Sequence, residues 1–297
     1  MSERFNFYDI YGYVIPGFTL LGVLWLPLGI AVGKLPDLGF ADALGGLLIA
    51  YIIGLVLSSL TALAFPSGKS VSGGATRLPS DELLDRTINA KHLSFVVLLE
   101  EKIKETFQVD LTQTLPETEL LTLRQHAFLL CRDRLVLEDK GAYAEQFEGM
   151  YSMMRGISGA SLIGAYYLLG WLFAGVQHQV ELREDWTYGL RMLVAVAGLV
   201  VATVDFWLSR SSPPNSAKKH WSKIVLCLSA LGMGYAGFLM GQRHLSVATR
   251  PTLLTALIAA MIFLTGRCYV SYQYFARTFA YTVLRHFLAL PPHPKRA

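Results

Sequence analysis

Apolar residues in this chain fall in long runs with few or no charges, separated once by an extended block in which apolar and polar positions follow a helical period. Ile157–Gln177 (ISGASLIGAYYLLGWLFAGVQ) is one such run. Its length is about the 20 residues that a helix needs to cross a hydrocarbon core of roughly 30 Å. Five further runs read as spans: Gly12–Gly33, Ala43–Phe65, Tyr188–Leu208, Ile224–Gly241 and Thr252–Gly266. The pattern predicts an all-α integral membrane protein with six transmembrane helices. Four, with Tyr188–Leu208 and Thr252–Gly266 lying in the interface, is the alternative.

The block Pro66–Arg155 starts as a Gly/Ser linker, PSGKSVSGGATRLPS, and then turns helical. LSFVVLLEEKIKETF reads as an amphipathic helix, Leu115-Pro116-Glu117 as a turn, and ETELLTLRQHAFLLCRDRLVL as a second helix. After the break at Asp139-Lys140-Gly141, AYAEQFEGMYSMMR is expected to run without a stop into the third span. The chain therefore reads as four segments: 1–65 with two spans, 66–155 as a helical cytoplasmic domain, 156–266 with four spans, and 267–297 as a juxtamembrane helix and tail.

Pro16-Gly17 and Pro27 interrupt the first run. A proline frees backbone groups that something else must satisfy inside a membrane, so a kinked or re-entrant entry is expected near Pro16. The second run carries small residues at every fourth position, Gly46, Ala50, Gly54, Ser58 and Ala62, and the fifth has Gly237 and Gly241 in GxxxG spacing. Such faces let backbones approach closely. They serve either as seams between subunits or as packing within one subunit.

Composition supports the class: of 297 residues 53% are hydrophobic and only 16% charged, against about 25% charged in average usage. Mean hydropathy is +0.41. The net charge of +4 argues for no global field toward nucleic acid. Lysines and arginines gather on one set of loops: Lys218, Lys219, Lys223, Arg277, Arg285, Lys295 and Arg296. The positive-inside rule then places both termini and the polar block in the cytoplasm.

Chemistry-bearing motifs are weak. Gly68-Lys69-Ser70 resembles the end of a phosphate loop, but the glycine expected five positions earlier is Leu63. Gly156-Ile157-Ser158-Gly159 lacks the closing glycine of a nucleophile elbow, which here is Ala160. The histidines have no metal-ligand spacing, and Cys131, Cys227 and Cys268 read as buried small residues. No catalytic residue, metal or cofactor is expected, and the chain is not read as an enzyme. Arg191 and Asp205 are the ionisable groups of the fourth span. Such groups are costly in a membrane and often mark a pathway, which makes Asp205 the candidate pore residue.

The tail holds a two-faced pattern. At helical spacing Arg267, Tyr274, Arg277, Tyr281 and Arg285 project to one side, and Tyr272, Phe275, Phe279, Val283 and Phe287 to the other. Interleaved cations and aromatics suit phosphates with stacked bases. The same pattern also suits a juxtamembrane helix whose arginines meet anionic lipid.

Three blocks resemble a known group: YDIYGYVIPGF at 8–18, LLCRDRLVLEDKGAYAEQFEGMYSMMRG at 129–156 and YVSYQYFARTFAYTVLRHFLALP at 269–291. They are similar to bacterial multi-pass inner-membrane proteins, some of them encoded in anti-phage defence operons. The closest functional analogy is the membrane effector of the Hailong system. That resemblance implies a homo-oligomeric ion channel, here expected as a tetramer. A nucleic-acid-derived ligand would gate it, such as the DNA or oligonucleotide product of a partner nucleotidyltransferase. The candidate ligand residues are Arg267, Tyr274, Arg277, Tyr281 and Arg285, with Arg132 and Arg134 as a second patch. A non-channel anchor or adaptor that recruits a soluble partner is the alternative.

Overall fold

The computed structural model describes residues 9–33, 39–65, 69–70, 76–89, 92–183 and 231–291. Among them the helices are α1 (Ile15–Val32), α2 (Phe40–Ala64), α3 (Pro79–Leu83), α4 (Leu93–Phe107), α5 (Glu117–Leu137), α6 (Ala142–Arg183), α7 (231–243), α8 (Leu245–Ala248) and α9 (Pro251–Ala289). The extended structure among them is one two-residue antiparallel pairing, with Lys69 opposite Arg77 and Ser70 opposite Thr76. Four helical stretches are long and apolar enough to cross a membrane: Ile10–Val32, Ala41–Ala62, Ala142–His178 and Pro251–Ala289. The chain is thus a helical membrane protein. The expected fourth span, Tyr188–Leu208, lies outside the described residues, as do Arg191, Asp205 and Cys227; the fifth is described only from residue 231.

The described chain divides into two compact units. A membrane unit contains residues 9–65, 152–183 and 231–271, and a polar unit contains the described parts of 66–151 together with 272–291. The tail continues α9 without a break as far as Ala289, and from residue 272 it belongs to the same unit as the polar block. The helix runs through Gly266, with no proline before Pro291 to stop it.

In the membrane unit α6 is the central element. In its most apolar window 78% of residues are buried, against 17% for α2. Its glycines let neighbours touch its backbone. An added Cβ at Gly156 would strike Pro16, at Gly159 Thr61, at Gly164 Val23, at Gly170 the Gly234 carbonyl, and at Gly175 the Ala248 carbonyl. Around them pack Tyr167, Leu168, Trp171, Leu172, Leu254 and Ile258. By contrast α2 leaves Leu44, Leu48, Ile52, Leu55 and Val56 exposed, a face suited to lipid.

Near Pro16 the chain is continuous helix. Residues Ile10–Val14 form a widened π turn that leads directly into α1. Pro16 has no N–H and its ring crowds the carbonyl four residues back, and the Ile15 N–H instead bonds the Ile10 carbonyl, five residues back. Pro27 is carried inside α1.

In the polar unit α4, α5, the first turns of α6 and the end of α9 share one core of Leu99, Ile103, Ala127, Cys131, Leu135, Val283, Leu284 and Phe287. The chain leaves α5 through Asp139, whose φ of 54° is left-handed, and re-enters helix at Ala142.

Candidate functional site on the C-terminal helix

The end of α9 is held in the polar unit by rings. Phe287 stacks on Phe107 with centroids 5.4 Å apart, and Phe279 meets Phe128 edge-on at 5.9 Å and Tyr151 at 5.7 Å. Lys102 secures the helix terminus: its Nζ donates to the Leu288 carbonyl at 2.8 Å and to that of Leu290, and lies 5.6 Å from the Phe287 ring centre. These carbonyls have no partner within the helix, so a half-buried lysine satisfies them. Burial holds the Lys102 ammonium below the usual lysine range.

With that side buried, the opposite side is open. Tyr274, Arg277, Tyr281 and Arg285 are all exposed, Tyr274 by 66%. Their spacing of three, four and four residues sets them in one row about 16 Å long at 1.5 Å per residue. Among the described residues, Arg277 and Arg285 form no ion pair with a carboxylate. Tyr281 is braced by Phe95 at 5.7 Å and Tyr274 by Phe275 at 5.5 Å. Arg267 is exposed as well, but on the part of α9 that belongs to the membrane unit.

The second expected patch differs in kind. Arg132 pairs with Glu148 at 2.6 Å and covers the Phe279 ring at 5.8 Å, while Arg134 pairs with Glu138 at 2.5 Å one turn along α5. Their charges are answered within the unit, so a free cationic patch is not what these two make.

The small-residue faces are also engaged within the chain. An added Cβ at Gly54 would overlap the Tyr13 carbonyl, and one at Gly17 the carbonyl of Ala50, which is itself fully buried. Ser58 accepts from Arg155 at 3.4 Å. Gly237 lies on the Tyr167 carbonyl and Gly241 on Trp171 and Ala174. Of the positions expected at a subunit seam, Gly46 has open space about it.

A buried ionic cluster escaped the sequence reading. Arg124 donates to Asp85 at 2.8 Å with both side chains about nine-tenths buried. Asp81 accepts from the Leu78 N–H at 2.7 Å and from Gln125 at 3.1 Å. Asp81 stands three residues after Leu78, the capping spacing that was the available signal. The cluster fastens the short α3 to α5 and is structural.

No group of three or more metal-ligating side chains occurs among the described residues. Compared with protein-family models, curated proteins and solved structures, the chain matches none of them.

Proposed function

We propose that the chain is a membrane effector of a bacterial anti-phage defence system. It is a homo-oligomeric ion channel whose polar unit binds an anionic, nucleic-acid-derived ligand along Tyr274, Arg277, Tyr281 and Arg285. The observation that carries this reading is the row itself: two arginines without a carboxylate partner among the described residues, alternating with two braced tyrosines. Phosphates meet the guanidinium forks and bases meet the ring faces. The row lies on a helix that also supplies a candidate span, so the ligand-binding residues and that span belong to one continuous helix. A ligand moves such a pore only by binding its open and closed states unequally.

Topology is compatible with six spans. Residues 272–291 and the polar block share a core and so lie on one side of the membrane. The chain between residues 151 and 272 must then cross an even number of times. With α6 and α9 each crossing once, the intervening chain adds none or two; two gives six. The lysine and arginine bias puts the shared side in the cytoplasm.

The test is binding of a labelled single-stranded oligonucleotide to the detergent-purified protein across a salt series, with planar-bilayer currents and native mass on the same sample. Glutamine at both Arg277 and Arg285 should weaken binding and flatten its salt slope by about 1.4, roughly 0.7 per phosphate contact removed on a single strand. Unchanged binding by a folded double variant would reject the row as the site.

The adaptor reading has its own support in Leu129 and Val136, seven residues apart on α5 and both at least half exposed. It predicts a soluble protein that co-purifies with the chain, and no conductance.

A further inference from the structure

Arg155, in the membrane unit, has no counter-charge among the described residues. It sits on α6, half-buried, and its described hydrogen bond is a long one of 3.4 Å to the Ser58 hydroxyl. Its Nε is buried with no acceptor, and it forms no ion pair with any described carboxylate. Arginine cannot shed its proton and carries five N–H donors. A half-buried guanidinium whose Nε is buried without an acceptor favours an anion beside it.

Its position says which anion. Ser58 lies four residues before Ala62, where the apolar stretch of α2 ends, so it is about 6 Å inside that end of the span. That is the depth from which an arginine side chain reaches the headgroup layer. Next to Ser58 on α2, Leu48, Ile52 and Leu55 recur at spacings of four and three and are all exposed. They form an apolar track that starts beside the guanidinium and runs toward the middle of the span. A phosphate held by a cation, followed by a hydrocarbon track, is the shape of a phospholipid.

We propose that Arg155 and Ser58 bind the phosphate of an anionic phospholipid whose acyl chain lies along Leu55, Ile52 and Leu48. The guanidinium takes two phosphate oxygens through parallel N–H bonds, and the lipid completes the surface of the membrane unit. This site is independent of the α9 row.

The full-length protein in neutral detergent is titrated with phosphatidylglycerol or phosphatidylcholine, with bound lipid counted by native mass spectrometry and the melting midpoint followed. Wild type should retain phosphatidylglycerol preferentially and be stabilised by it. Arg155→Gln should weaken that lipid about ten- to a hundred-fold, as expected for losing a charge-assisted bond, and leave phosphatidylcholine unchanged. Arg155→Lys keeps the charge but not the fork; it should hold phosphatidylglycerol less tightly than wild type and still above phosphatidylcholine. Equal retention of the two lipids by wild type would overturn the proposal without any variant. So would stabilisation by inorganic phosphate or chloride that phosphatidylglycerol does not exceed, which would mark a free-anion site. Wild-type affinity in Arg155→Gln would assign the lipid to another place.

Discussion

Gly170 of α6 lies so close to Gly234 of α7 that an added Cβ would overlap the Gly234 carbonyl and approach the Phe238 nitrogen. Two helices meet there with no side chain between them. Gly266 in α9 is also inside a helix but has nothing within 4 Å. The two positions should answer alanine oppositely. Gly170→Ala should cost about 1–3 kcal/mol through overpacking, whereas Gly266→Ala should be neutral or gain up to about 1 kcal/mol from helix propensity. Melting midpoints in one detergent decide this, and equal losses at both sites would refute the packing seen at Gly170.

Gly46 tests the subunit seam. With open space about it in the single chain, Gly46→Leu should leave folding intact and act only where a second copy or lipid lies. A lower oligomer mass in native mass spectrometry is the outcome expected if α2 forms the seam. Unchanged mass would place lipid at this position.

Arg124 and Asp85 form the buried ion pair of the polar unit. Removing one partner strands the other, so Arg124→Met should cost about 3–5 kcal/mol. A loss below about 1 kcal/mol in thermal or denaturant unfolding would contradict the pairing.

The same pair predicts an acid limb. Burial pushes the Asp85 carboxyl up, but bonds from Thr87 and Arg124 outweigh it and hold the group below its ordinary 3.8. The folded protein then binds fewer protons than the unfolded chain in that range. Asp85 therefore contributes stability that is present above pH 3.8 and is lost as pH falls through the folded-state value. Asp81 has the opposite sign: burial raises it above 3.8, so its ionisation costs stability as pH rises from 3.8 through its folded value. Asp85→Asn should flatten the acid limb and lie below wild type at pH 7, while Asp81→Asn should lose less at pH 7 than at pH 3. Melts between pH 3 and 7 check both signs.

Lys102 anchors the last turn of α9. Lys102→Met keeps the apolar stem over Phe287 and removes the two donated bonds, an expected loss of about 1.5–3 kcal/mol for bonds to a charged group. Hydrogen exchange at residues 284–290 should accelerate while α4 stays protected. Unaltered exchange there would mean that ring packing alone holds the terminus.

The class, the apolar helices and the two sides of the tail were legible in the sequence because each rests on local periodicity. A charge-free run of twenty residues has few fates in water, and residues one helical turn apart share a side whatever surrounds them. The run at Ile157–Gln177 sits inside the most buried helix of the membrane unit for the same reason: it is apolar all round. Local signals could not say what each face meets. Whether Ala50 and Gly54 pack within the chain depended on Gly17 and Tyr13, more than thirty residues away. Whether Arg132 was free depended on Glu148, sixteen residues on and across a turn. That the tail shares a core with Leu99 and Cys131 depended on contacts across more than a hundred residues. Partnerships at such distances are settled by which surfaces the folded chain brings together, and only the tertiary structure decides them.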